Sequence, residues 1–223
     1  MSANKITGLL LSGGLDSTAL LCRMLEAGER VQPFYVRSDV AWADAETQAV
    51  HRLCQALAGP NLLPLVTLEL PLADLYQSHW SVTGTAAPGA DSPDEAVFMP
   101  GRNLLLVMKA AIWCQMHGIG ELAMAPLSTN PFPDATPDFF TAFEQTLALA
   151  GPGPVRLLRP VAELSKSELI RQGRAYPLEL SFSCISPQRG QHCGVCNKCA
   201  ERQNAYAAAG MRDPTVYAAF SAA

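Results

Sequence analysis

No basic excess marks this chain: 16 lysines and arginines stand against 20 aspartates and glutamates, for a formal net charge of −4. A nucleic-acid surface would usually show the opposite balance, so the composition points to a small-molecule substrate. No apolar run approaches the length of a membrane span, and Met1-Ser2-Ala3-Asn4-Lys5 has none of the apolar core of a secretory leader. Internal repeats are absent as well. These absences place the protein in the cytoplasm, without membrane or nucleic-acid partners. In that reducing compartment seven cysteines read as metal ligands or buried thiols, not as a disulfide framework.

What is present is enough for one sizeable α/β domain with an appendage, since the chain has 223 residues and 49% hydrophobic content. Its organising stretch runs from Leu9 to Thr18. An apolar run, Ile6 to Leu11, is short enough for a buried strand, and Leu15 to Leu25 carries apolar residues at helical spacing. Ser12-Gly13-Gly14 is therefore a strand-to-helix corner, where glycines let the backbone bend and open its N–H groups to a ligand. Those amides and the positive end of the helix suit an anion such as pyrophosphate. A plain tight turn is the bland alternative. A Walker A loop would need a lysine, and a dinucleotide fingerprint a third glycine; neither is here. Ser12-Gly13-Gly14-Leu15-Asp16-Ser17 instead resembles the PP-loop of the N-type ATP pyrophosphatases.

Further strands are expected at Val31–Val36, Leu62–Leu70, Glu121–Ala125 and Val155–Val161, with helices at Trp42–Ala58, Leu104 to about Met116 and Asp138–Ala150. This alternation predicts a doubly wound parallel five-stranded sheet whose ligands sit at the carboxyl ends of the strands. Between Leu72 and Met99 the periodicity dissolves, as in a lid, a binding loop or a disordered segment. Pro100-Gly101-Arg102-Asn103 then opens a helix; Arg102 could hold phosphate or carboxylate, or simply be solvated. Phe132, on the loop from Pro126 to Pro137, could stack on a planar ring or merely pack. Ser165 and Glu168 form a capping signature. Lys166, in that first turn, opposes the dipole preference, which an anion opposite would explain and a solvated side chain would not require.

Cys184, Cys193, Cys196 and Cys199 crowd the C-terminal part. Thiolates two residues apart on a glycine-containing turn can reach one ion, and four close a tetrahedral site, so a structural zinc is predicted. His192 adjoins the cluster but four thiolates leave it no vacancy. Cys22, Cys54 and Cys114 fall on apolar helix faces and read as core.

Together, the Ser-Gly-Gly-Leu-Asp-Ser corner, Pro100-Gly101-Arg102-Asn103 and the cysteine spacing resemble the 7-cyano-7-deazaguanine synthase family of queuosine biosynthesis, in order and over nearly the full length. The resemblance implies a sheet like that of the adenine nucleotide α-hydrolases over 1–176, with a small zinc-binding helical lobe over 177–223. It implies ATP-dependent conversion of 7-carboxy-7-deazaguanine and ammonia to a nitrile through an acyl-adenylate, with AMP and pyrophosphate released. It carries ATP binding onto Leu11, Ser12, Gly13, Gly14, Leu15, Asp16, Ser17, Thr18, Ala19, Leu20 and Leu21. Asp16 would serve magnesium or loop geometry, and Arg102 and Lys166 the phosphate charge. Substrate contacts fall to Phe132 and Asp134, and a homodimer is implied.

The chain departs from the family's pattern at two places. Tyr35-Val36-Arg37-Ser38-Asp39 stands where members usually carry Asp-Tyr-Gly-Gln-Arg-His, and Pro131-Phe132-Pro133-Asp134-Ala135-Thr136 keeps the aromatic, proline and aspartate of Gly-Tyr-Pro-Asp-Cys-Arg but not the Cys-Arg pair. Both lie where substrate would be read, so a divergent PP-loop ligase acting on another carboxylate or carbonyl stays as an alternative, with a non-enzymatic zinc-ribbon module as a second. No glutaminase is expected, because the chain starts Met-Ser and no second domain has the length for one; ammonia would be free or come from another chain.

Overall fold

The structure is a computed structural model, and it describes residues 5–218. Residues 1–4, on which the leader expectation falls, and 219–223, at the end of the expected lobe, lie outside the described residues.

Five parallel strands form one sheet in the order β3-β2-β1-β4-β5. They are β1 (Ile6–Leu10), β2 (Arg30–Ser38), β3 (Val66–Leu70), β4 (Glu121–Ala123) and β5 (Arg156–Leu158). The crossovers are helical: α1 (Leu15–Glu26) and α2 (Ala43–Ala56) lead from β1 to β2 and from β2 to β3. Strand order reverses between β1 and β4, so a crevice opens beyond their carboxyl ends, where open α/β sheets take ligands. The doubly wound parallel sheet expected from the alternation of elements is thus the architecture found.

Apolar side chains pack on both faces of the sheet. One core gathers Leu20 and Leu21 of α1 with Val50 and Leu53 of α2, and extends to Ile170 and Tyr206 near the carboxyl end. The other joins Phe34 and Leu122 of the sheet to Val107, Ala110 and Cys114 and to Phe140, Phe143 and Leu147. Gly8 allows this second packing, because a Cβ there would lie 2.9 Å from the Phe34 ring and 3.1 Å from the Cys114 sulfur. Cys22 and Cys114 are buried and Cys54 is half-buried against the first core, as the apolar faces predict.

The third strand is shorter than its apolar run: Leu62 makes only an isolated bridge to Val31 before β3 begins at Val66. The aperiodic stretch that follows contains two one-turn helices, α3 (Ala73–Tyr76) and α4 (Trp80–Thr83), and a 3₁₀ turn over Asp94–Val97. Its order comes from contacts remote in sequence. The Asp39 carboxylate accepts the N–H groups of Leu72 and Ala73 at 2.9 and 3.2 Å, and Trp80 stacks on Trp42 with ring centroids 5.7 Å apart. Farther on, the Asn197 N–H donates to the Pro88 carbonyl at 2.9 Å and its side-chain amide to the Ser92 carbonyl at 2.9 Å. The stretch is therefore a strap pinned to the C-terminal segment, and it delivers the chain to α5 (Arg102–Met116).

After α6 (Pro137–Ala150) and β5, α7 (Lys166–Gln172) starts with the expected capping box between Ser165 and Glu168. The last helix, α8 (Asn197–Ala209), packs beside α7.

Candidate active site

The corner Ser12-Gly13-Gly14 leaves β1 and enters α1 as the sequence predicts. Gly13 has φ +73, and a Cβ there would lie 2.9 Å from Val50 Cγ2, so both backbone sign and space call for glycine. The Gly13 carbonyl accepts the Phe182 N–H at 2.7 Å, which fixes the corner from the C-terminal segment. Gly14 is the N-cap of α1 and no side chain caps the helix. The first-turn amides of such a helix have no intrahelical partner and suit an anion. Ser12 and Ser17 hydroxyls lie 3.2 Å apart across the corner.

A cleft of about 200 Å³ opens at this corner, lined by Ser12, Gly14, Asp16 and Ser17 on one side and Arg102, Asn103 and Asn130 on another. Apolar walls come from Leu10, Phe34, Leu106 and Met124. Of the candidate ATP-binding residues, Leu11 also lines it, whereas Leu15, Ala19, Leu20 and Leu21 are packed in the core and Thr18 is fully buried. The side chains of Leu15 and of Thr18 to Leu21 hold α1 against the sheet and do not line the cleft. The reason is periodicity, since only the first turn of a helix that starts at the cleft can reach it.

Arg102 stands at the start of α5, after the left-handed Gly101. Its Nε is buried without a hydrogen-bond partner. Glu46 of α2 lines the same cleft and is 8% exposed. Burial raises its carboxyl above the usual range, against the pull of Arg102 and of hydrogen bonds from Tyr35 and Trp42. The Tyr35 hydroxyl donates to Glu46 Oε2 at 3.0 Å.

Asp16 connects this cleft to a second, smaller one lined by Asp94, Thr129, Phe132, Lys166, Lys198 and Glu201. Lys166 Nζ lies 3.3 Å from Asp16 Oδ2 and 2.6 Å from Glu201 Oε1, while Lys198 Nζ lies 2.8 Å from Glu201 Oε2. Burial pushes Glu201 up, but the two ammonium groups outweigh it and hold the carboxyl at about 2. Asp16 fares differently: burial raises it despite the pull of Lys166, the neighbouring Glu201 carboxylate adds to the rise, and its Oδ1 is buried without a partner. The lysine that opposes the helix dipole therefore faces carboxylates, and an anion entering beside it would compete for it.

The two substrate candidates separate. Phe132 lines the second cleft and packs on Phe98 with centroids 5.2 Å apart. Asp134 lines neither of these two clefts. Its carboxylate accepts the Asn103 backbone N–H at 3.0 Å and the Asn103 amide at 3.2 Å, and so ties the 3₁₀ turn Pro133–Ala135 to the start of α5. It positions Arg102's neighbour. Sequence reasoning missed Glu46, Glu201 and Lys198.

Cys184, Cys193, Cys196 and Cys199 are all buried, and their sulfurs lie within 4.8 Å of one another. Cys184 and Cys196 sulfurs are 3.8 Å apart, and those of Cys193 and Cys199 3.9 Å. Four thiolates about 2.3 Å from a tetrahedral zinc would be spaced by about 3.8 Å, so the donor set fits that ion. Backbone N–H groups of Ser186, Cys193, Val195 and Cys196 point at the Cys184 and Cys193 sulfurs over 3.3 to 3.4 Å, which favours thiolates. His192 is outside the set: its Nε2 accepts the Ser183 N–H at 3.1 Å.

Comparison with known proteins follows the same lines. A family model described as "Queuosine biosynthesis protein QueC" matches residues 7–210. A 7-cyano-7-deazaguanine synthase of Dechloromonas aromatica (strain RCB) is 30% identical over 95% of this chain and 97% of its own length. One from Azoarcus sp. (strain BH72) is 31% identical over 95% and 96%. Among solved structures, a 4-thiouridine synthetase in complex with RNA and bound ATP shares the fold at a TM-score of 0.51 and 17% identity, over 80% of this chain and 42% of that one. A predicted tRNA methyltransferase subunit from Methanocaldococcus jannaschii does so at 0.50 and 12%, over 77% and 76%.

Proposed function

This chain belongs to the QueC family of queuosine biosynthesis proteins, and from that premise we propose that it converts 7-carboxy-7-deazaguanine and ammonia to 7-cyano-7-deazaguanine at the expense of ATP. The observation that carries the reading is the cleft itself. An uncapped helix start, an arginine with an unpartnered buried nitrogen and apolar walls converge on one space at the switch point of the sheet.

The substrate carboxylate attacks the α phosphorus of ATP, forming a C–O–P bond while the bond to the β phosphate breaks. Pyrophosphate departs toward the corner Ser12 to Ser17, where backbone amides and the Ser12 and Ser17 hydroxyls receive its charge. Arg102 and Lys166 neutralise phosphate oxygens, Lys166 exchanging carboxylate partners for phosphate. Ammonia displaces AMP and loses a proton to give the amide; the amide oxygen then attacks the α phosphorus of a second ATP, releasing a second pyrophosphate, and loss of AMP with two protons leaves the nitrile. Asp16 would hold magnesium here, and the ion when bound would supply electrostatic relief for the charge on the transferring phosphoryl group. The unpartnered Asp16 oxygen fits that ligation.

The four cysteines would hold a structural zinc that fixes the segment over 177–218 against the nucleotide-binding domain, and such thiolates suit the cytoplasm. Ammonia is taken free or from another chain. Leu104, Met108, Ile112 and Met116 of α5, spaced by four and 39%, 38%, 44% and 73% exposed, support a homodimer through that helix.

The test is incubation with ATP, ¹⁵N-ammonium and the deazaguanine acid, read by mass spectrometry. The nitrile should appear carrying the heavy nitrogen, with AMP alongside. No nitrile, with another acid stimulating AMP release, would favour the divergent-ligase alternative.

A further inference from the structure

Resting on the deazaguanine-acid reading above, we propose that Glu46 accepts the N–H donors on the nitrogen-rich edge of the substrate ring and so decides which acid the cleft admits.

Glu46 is 8% exposed, yet it lines the cleft. Among the described residues no ion pair involves it; its partners are the neutral hydroxyl of Tyr35 and the indole of Trp42. A carboxylate offers about four acceptor sites, so two neutral donors leave acceptor capacity unspent in a place that water fills poorly. Around it, Leu10, Phe34, Leu106 and Met124 form apolar walls suited to a planar ring. Arg102 lines the same space and attracts Glu46 without pairing to it. The cleft therefore presents a cation and an anion that are not paired with each other, beside apolar walls.

The deazaguanine acid has the complementary polarity. Its carboxylate occupies one edge, and a ring N–H beside an exocyclic amino group occupies another. A carboxylate accepts two adjacent N–H donors at once, as it does from a guanidinium fork. Adenine would not satisfy Glu46 in the same way, because its amino group stands beside an acceptor ring nitrogen that a carboxylate repels. This device separates the acid from the base of ATP, although both are flat and of similar size. It also gives α2 a role that a helix buried only for packing would not need, since a glutamate at that position costs burial energy without one.

The experiment compares the wild-type enzyme with Glu46→Gln on two acids, 7-carboxy-7-deazaguanine and its analogue without the 2-amino group, with ATP varied separately. Glutamine keeps the shape and can still accept the Tyr35 hydroxyl. In the wild type, removing the amino group should lower kcat/KM by at least about tenfold. In Glu46→Gln, KM for the full acid should rise by at least about tenfold, KM for ATP should stay within about twofold, and the preference for the amino group should shrink below about threefold. A wild type indifferent to the amino group overturns the proposal without any variant. So does a variant whose KM rises for ATP instead, or one that keeps the amino preference. Wild-type turnover with an unaffected variant defeats this inference alone; no wild-type turnover of the deazaguanine acid defeats the functional reading with it.

Discussion

Two arginines separate the working cleft from the C-terminal lobe. Arg202 of α8 is 1% exposed, and its nitrogens donate to Thr215, Ser181, Ser183 and the Leu178 carbonyl, with Asp213 3.7 Å from its Nε. Arg102 opens α5 at the rim of the cleft with its Nε buried and unpartnered. One charge is spent on holding the fold and the other is kept in reserve. The buried atoms without partners in the lobe, Asn197 Oδ1 and Tyr206 hydroxyl, are neutral, whereas those at the cleft, Asp16 Oδ1 and Arg102 Nε, belong to charged groups. Unpaired charge is costly inside a protein, so its concentration at one cleft marks where a charged ligand completes the structure.

The sharpest way to break the lobe's half of this contrast is at the metal. Cys196→Ser leaves a buried tetrahedral site short of one thiolate. Metal analysis should show loss of zinc, and the melting temperature should fall further than for any other variant here, because structural zinc contributes on the order of 10 kcal/mol in small zinc-folded domains. Full zinc content with unchanged melting would overturn the four-thiolate site. Next in size is Arg202→Met, which strands Asp213 and several acceptors. A loss of about 3–5 kcal/mol in unfolding free energy is expected by denaturant titration, with kcat/KM per folded molecule preserved.

Arg102→Met inverts that pattern. Stability should shift by less than about 1 kcal/mol, while kcat/KM falls by roughly a hundredfold or more, about 3 kcal/mol of transition-state stabilisation. If both arginine variants lose stability and keep activity, the contrast is wrong. The smallest expected effect is on pH. Burial pushes Asp213 up, but hydrogen bonds from Thr215 and Tyr217 and the Arg202 charge outweigh it and leave its carboxyl below the usual range. A depressed carboxyl stabilises the fold above its unfolded pKa of about 3.9 and loses that contribution as pH falls through the folded value. Melting temperature followed below pH 4 should therefore drop less steeply in Asp213→Asn than in the wild type.

What the sequence revealed follows from the range of the forces involved. The corner at Ser12 to Ser17 and the cysteine quartet are local, set by glycine backbone freedom and by ligand spacing, and both are found as read. The strap over 72–99 was illegible because its hydrogen bonds go to Asp39 and Asn197, far along the chain. Asp134 shows that a residue's place on a loop does not give its direction; its carboxylate turns to Asn103. Glu46 did carry a signal. It lies four residues before Val50 and seven before Leu53, an acid on the apolar stripe of α2, where a charge needs a partner or a purpose. Lys198 and Glu201 flank Cys199 at the start of α8 and pair with each other, and Glu201 meets Lys166 only through packing of α7 on α8.

The most direct test of the central claim uses ATP labelled at its γ phosphate, with the deazaguanine acid and ammonium present. The account predicts that the label leaves as pyrophosphate, with two AMP formed for each nitrile. Label released as orthophosphate together with ADP would contradict it, for the corner would then be serving a split between the outer phosphates.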